Sequence, residues 1–172
     1  MTTSPSLETW GAERSRTVTW NDPMPTIAAG LTMSGLDYLT AMLDGRLPAS
    51  PIGRLVGIEG VSVSRGDVVF RCVPDESAYN PVGLIHGGLI STLLDSATAS
   101  AVHSTLDAGV AFTTLELKVS FMRPVHAGQV LLAHGWVTKP GSRVSFAEAD
   151  IRDADDRLVA TASSTLLIQR VQ

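Results

Sequence analysis

The sequence predicts an α+β fold in which one long helix lies on one curved antiparallel sheet. Three observations carry this. Leu89 to Ser104 runs without proline or glycine, and Leu89, Ile90, Leu93, Leu94, Ala97 and Ala101 share one helical stripe. Beyond it the chain alternates with period two. Leu115, Leu117, Val119 and Phe121 are set to face one way, and Thr114, Glu116, Lys118 and Ser120 the other. Turn signals then recur at short intervals, so successive strands can pair antiparallel.

Taken in order, residues 1–30 are rich in Thr, Ser and Pro and read as an extended leader. Leu36, Leu39 and Leu43 then recur at helical spacing, with Ser34 placed to cap the start and Gly45 the end. This predicts a short amphipathic helix. Pro48 and Pro51 break the chain after it, which sets a boundary between a leader, 1–52, and a main domain, 53–172.

From Gly53 to Val73 the pattern is strand-like, with a turn at Ser64–Asp67. Residues 74–85 form a loop, and the long helix follows. Four strands come after it, separated at Pro124 and Gly128, at Lys139–Ser142 and at Asp153–Asp156. The chain shows no internal repeat.

Composition narrows the function. The 172 residues are 44% hydrophobic and 17% charged, as in a folded globular protein. The net charge is -4 and no basic cluster is present, so a nucleic-acid partner is not expected. No secretory signal and no run of 18 apolar residues is found, so no membrane partner is expected and a cytoplasmic location is. Cys72 is the only cysteine, which precludes an intrachain disulfide; it reads as a small buried strand residue. His86, His103, His126 and His134 have no metal-ligand spacing. A P-loop, a Gly-x-Ser-x-Gly elbow and a Cys-x-x-Cys pair are all missing.

The informative segment is Asn80 to Asp95, where His86, Gly87 and Gly88 stand at the start of the long helix. The first amides of a helix have no intrahelical acceptor and point out at the positive end of its dipole. Without a Cβ at 87 and 88, a ligand oxygen can come close to that backbone, which suits a developing oxyanion. Glycine at a helix start also simply eases a sharp turn. Asp95 lies mid-helix, away from the leucine stripe, among the small residues Ser91, Thr98, Ala99 and Ala101. A carboxylate there is either solvated or set in a face made for close packing against another body.

Tyr79-Asn80-Pro81, His86-Gly87-Gly88 and Leu94-Asp95 together resemble the active-site stretch of the PaaI-like hotdog-fold acyl-CoA thioesterases. Thr113 to Pro124 resembles that family's strand after the helix, and Arg157 to Ala162 its ending; the likeness covers about 53–169. It implies a hotdog fold, an acyl-CoA substrate, a homodimer or dimer of dimers with paired sites, and no cofactor or metal. It also implies roles. Gly87 would give its backbone N–H to the thioester carbonyl, and His86 and Asn80 would help position that oxygen or the water. Asp95 would be the catalytic carboxylate, as base or nucleophile, and Thr114 would help hold the water.

Gly88 joins these as a substrate-binding residue. Arg123 and Arg143, at strand ends near turns, are candidates to meet the phosphates of CoA. Two other readings stand beside the thioesterase: a hotdog dehydratase or hydratase acting on acyl thioesters, and a non-catalytic acyl-CoA sensor. A sensor would need a partner domain, and 1–52 is short for one and not basic.

Overall fold

The computed structural model describes residues 10–170; the first nine residues of the leader lie outside the described residues. Helices α1 (Pro23–Leu31), α2 (Gly35–Leu43) and α3 (Pro51–Val56) come first. Strands β1 (Ile58–Ser64) and β2 (Asp67–Cys72), the long helix α4 (Gly87–His103) and strands β3 (Val110–Phe121), β4 (Leu131–Lys139), β5 (Val144–Asp153) and β6 (Leu158–Arg170) follow. The six strands make one sheet in the order β1-β2-β4-β5-β6-β3, with every neighbouring pair antiparallel. The sheet wraps α4, which is the hotdog arrangement.

Two leader segments differ from the sequence reading. Residues 23–31 are helical, not extended, because Pro23 stands in the first turn, where its missing N–H costs nothing, and Asp22 caps the Met24 N–H at 2.9 Å. Residues 51–56 are helical for the same reason: Ser50 accepts from Gly53 N and Pro51 stands in the first turn. Strand structure therefore begins at Ile58, after Gly57 ends α3 with φ +74°. Helix α2 starts as expected, with the Ser34 hydroxyl accepting the Asp37 N–H at 3.2 Å.

The core lies between α4 and the sheet. Ile90, Leu93, Leu94, Ala97 and Ala101 are buried, as the stripe predicts, and the first four pack in one cluster with Leu131, Ala133, Ala149 and Ile151 of the sheet. Thr98 is buried as well, away from the open face; its hydroxyl donates to the Leu94 carbonyl at 3.1 Å. Helix and sheet approach so closely at Gly135 that a Cβ there would stand 2.4 Å from the Ala97 carbonyl oxygen.

Strand β3 departs from strict alternation. Thr114 pairs with Leu166 and Glu116 with Thr165, so Leu115 is a bulge. The extra residue flips the phase of everything before it. Thr114 therefore faces the helix together with Leu117 and Val119, while Leu115 and Phe121 are exposed (57% and 56%), contrary to the single apolar face read from the sequence.

The leader docks on the C-terminal end of α4. Gly35 N donates to Leu106 O at 2.9 Å, and a Cβ at Gly35 would stand 1.8 Å from the His103 carbonyl oxygen. The ring of His103 lies between Tyr38 of α2 and Phe112 of β3, with centroids 5.4 and 5.1 Å away. Among the described residues no helix is long and apolar enough to cross a membrane.

Burial lowers the His103 pKa from 6.5 to about 4. Between those values the unfolded chain binds the proton more readily than the folded one. The stability is therefore full above pH 6.5 and is lost as pH falls towards 4. His103→Phe keeps the ring stack and removes the proton site. The wild type should lose on the order of 3 kcal/mol more than this variant between pH 7 and pH 4. Chemical denaturation at both pH values checks this, and parallel losses in the two proteins would refute it.

Candidate active site

The loop before α4 sets the angle at which that helix begins. Asn80 Oδ1 accepts the N–H groups of Val82 and Leu84 at 3.0 and 3.1 Å, and Asn80 N donates to Leu84 O at 2.7 Å. Ile85 N donates to Val125 O and His86 N to Ala78 O, both at 2.8 Å. The Asn80 carbonyl oxygen is thus committed to the loop, and its NH₂ group remains the donor available to a ligand.

His86 is the N-cap of α4, and its Nδ1 accepts the Gly88 N–H at 2.8 Å. The neutral ring then carries its proton on Nε2, which is left as a donor. The pairing explains why residue 88 is glycine, since a Cβ there would stand 2.9 Å from His86 Nδ1. It also corrects one expectation. The Gly88 N–H closes the cap and is not free for a substrate. The Gly87 N–H, by contrast, has no acceptor among the described residues. A Cβ at Gly87 would lie 3.2 Å from Phe121 Cζ, so a larger residue would press on that ring.

Asn80, Gly87, Phe121 and Arg123 border one open cleft of about 340 Å³. Arg123 therefore stands beside the helix start, as its candidacy requires. Arg143 does not. It opens the way into β5, and its neighbours Pro140–Ser142 edge a cleft with Thr105 and Leu106, just past the C-terminal end of α4. Within one chain it belongs to the end of the helix remote from Gly87.

Asp95 lies eight residues along α4 from Gly87, roughly 12 Å at 1.5 Å per residue. Its Oδ1 accepts the Thr114 hydroxyl at 3.0 Å. That contact exists because the bulge at Leu115 turns Thr114 inward. Asp95 borders a second cavity, of about 270 Å³, whose other wall is leader helix α2. Sequence reasoning saw α2 and missed this wall. The signal was its leucine stripe, which needed an apolar surface to cover. Cys72 takes no part: it is fully buried, its thiol is pushed up to about 11 chiefly by burial, and it donates to Val56 O at 3.3 Å.

A family model described as the thioesterase superfamily matches residues 82–160, which spans α4, β3, β4 and β5. A crystal structure of a phenylacetic acid degradation-related protein from Ralstonia eutropha JMP134 superposes with a TM-score of 0.70 at 32% identity, covering 76% of this chain and 98% of that one. The chain belongs to the thioesterase superfamily. Other members agree with this one. The Escherichia coli PaaI protein shares the fold, with a TM-score of 0.70 at 23% identity over 83% of this chain and 96% of that one. Human acyl-coenzyme A thioesterase 13 is 26% identical over 136 residues, 78% of this chain and 94% of the relative. The hydrolase class of this superfamily member is that of an enzyme acting on thioesters.

The Thr114–Asp95 contact gives a direct test. Thr114→Val keeps the shape and removes the hydroxyl donor. Turnover is expected to fall about tenfold or more, the scale of a lost hydrogen bond to a charged group, with the melting temperature little changed. Steady-state kinetics that match the wild type would mean that the hydroxyl only fills space.

Proposed function

We propose that this protein hydrolyses acyl-CoA thioesters to the free acid and CoA, in sites shared between two copies of the chain. One observation carries the reading: Gly87 and Asp95 stand on one helix, roughly 12 Å apart along its axis, and open onto different cavities. Reacting atoms must come within about 3–3.5 Å. A carbonyl held at Gly87 is therefore out of reach of the same chain's Asp95. An antiparallel second copy brings its Asp95 to the first copy's Gly87 and joins the two cavities into one passage.

The sheet supports such a pairing. Strand β3 is at the end of the strand order, with β6 as its one neighbour, and it carries the exposed Leu115 and Phe121. A long edge strand leaves backbone groups open to another chain, and a two-fold pairing along it covers both copies at once.

In the shared site the Gly87 N–H, at the positive end of α4, donates to the thioester carbonyl oxygen as charge develops there. The Asn80 NH₂ and the His86 Nε2–H are the other donors near that oxygen. The second copy's Asp95 supplies the negative group, oriented by Thr114. Acting as base, it takes a proton from water as the water oxygen adds to the carbonyl carbon. The C–S bond then breaks, the acid forms, and the CoA thiolate regains a proton. Acting as nucleophile, it forms a mixed anhydride that water opens to the same products. Arg123, beside Gly87, offers a cation to the phosphates of CoA. The name of the human relative supports CoA as the carrier. A hydratase would leave the thioester intact, and thiol release separates that reading from this one.

Asp95→Asn keeps the shape and removes the charge, so hydrolysis should fall by at least ~100-fold while the fold persists. Near-normal release of CoA thiol by this variant would make the carboxylate structural.

Complementation tests the sharing. Gly87 is the first residue of α4, where proline removes the N–H with little harm to the helix, although the Phe121 ring must shift. Asp95→Ala and Gly87→Pro chains, differently tagged and co-expressed, should each be inactive alone. A mixed dimer has one site with both lesions and one with neither, and should regain activity. Mixed dimers as inactive as their parents would place both groups in one chain's own site.

A further inference from the structure

The cavity beside Asp95 is walled by a part of the leader that the proposed chemistry does not use. Its outer side is α2, through Leu39, Met42 and Leu43, with Ala49 and Ser50 closing one end. The facing side is Ile58, Val68 and Phe70 of β1 and β2, and α4 contributes Asp95 and Ala99. The wall is closely fitted: a Cβ on Gly60 would stand 2.9 Å from Leu43 Cδ1, so any side chain there would displace the leucine.

Charge assigns the cavity to one end of the substrate. Among the described residues Asp95 is its one ionisable lining group, and no lysine or arginine borders it. The phosphates of CoA would meet a carboxylate and no cation there, whereas the cleft at Gly87 holds Arg123. Four serines, Ser50, Ser62, Ser96 and Ser100, also line it, among apolar side chains; the hydroxyls of Ser50 and Ser96 are already paired, with Gly53 N at 3.2 Å and Thr92 O at 2.8 Å. An apolar acyl group fits, held with its carbonyl end towards the carboxylate.

Size then limits the acyl group. A space of about 270 Å³ is on the scale of a medium-sized acyl group and not of a long chain. We infer that this cavity takes an apolar acyl group of about that size and that leader helix α2 sets the limit. The inference rests on the thioesterase reading above. It also gives the leader a function. The same helix is anchored at Gly35, where it meets the end of α4.

The test measures kcat/KM for acetyl-, octanoyl-, phenylacetyl- and palmitoyl-CoA. Octanoyl and phenylacetyl are the straight-chain and aryl groups of the inferred size, and at least one of them should exceed both acetyl and palmitoyl by about tenfold or more. Ala99→Leu fills the cavity and should cut the octanoyl-to-acetyl ratio by about tenfold or more, the scale of misfit in an apolar pocket. Leu43→Ala opens the wall and should move the optimum to longer chains. Should Ala99→Leu fail to fold, Met42→Trp fills the cavity from the opposite side. A wild type that hydrolyses these esters but favours acetyl or palmitoyl, or variants with an unshifted profile, would overturn the inference alone. A wild type that releases thiol from none of them would overturn the thioesterase reading itself.

Discussion

The close seating of α4 on β4 governs the rest of the structure. At Gly135 the sheet backbone and the helix backbone come so near that even a methyl group has no room. Ala97 and Ala133 continue the small surface on either side, while Leu93 and Leu94 fill the space beyond it. Each of those two fully buried leucines contributes about 1.5–3 kcal/mol of burial. The small contact fixes the depth of the helix and the large ones fix its rotation. With both fixed, the two ends of α4 have definite jobs: its first amide faces the Arg123 cleft, and its last turn receives the leader.

Much of this was legible from residues. The run from Leu89 to Ser104 was readable because a helix with one buried face must repeat its apolar residues. The His-Gly-Gly start was readable because glycine beside a helix N-terminus leaves backbone donors uncovered. The cap was not, because a histidine that folds back onto Gly88 looks the same in sequence as one that reaches for substrate. The leader prolines misled for a related reason. Pro23 and Pro51 break a helix in its interior but begin one at its first turn, and only the capping Asp22 and Ser50 distinguish the two cases.

Strand β3 shows a different limit. Period-two reading assigns every residue of a strand to a face by counting, so one bulge inverts all assignments on one side of it. Thr114 was taken to face away from Leu117, and the bulge at Leu115 sets both towards the helix. Nothing in the run Thr113 to Phe121 marks that position, since no glycine or proline interrupts it. The resemblance nevertheless singled out Thr114, and the structure hydrogen-bonds it to Asp95. Counting alone set that side chain on the wrong face, and the bulge is what turns it.

In the proposed dimer the bulge also ties the reaction to the assembly. By turning Thr114 inward it tethers Asp95, and by the same rotation it turns Leu115 outward onto the open edge of the sheet. A regular strand could not do both at adjacent positions without placing Leu117 and Val119 in water. In the proposed dimer, that outward side is where a second copy pairs. The strand that would hold two chains together is then the strand that orients the carboxylate each chain lends to the other. Helix α4 is the reason for that proposal. Its Gly87 N–H and its Asp95 carboxylate are two turns apart, so in the proposed dimer neither would serve without a partner, and the contact that supplies the partner would also aim the carboxylate.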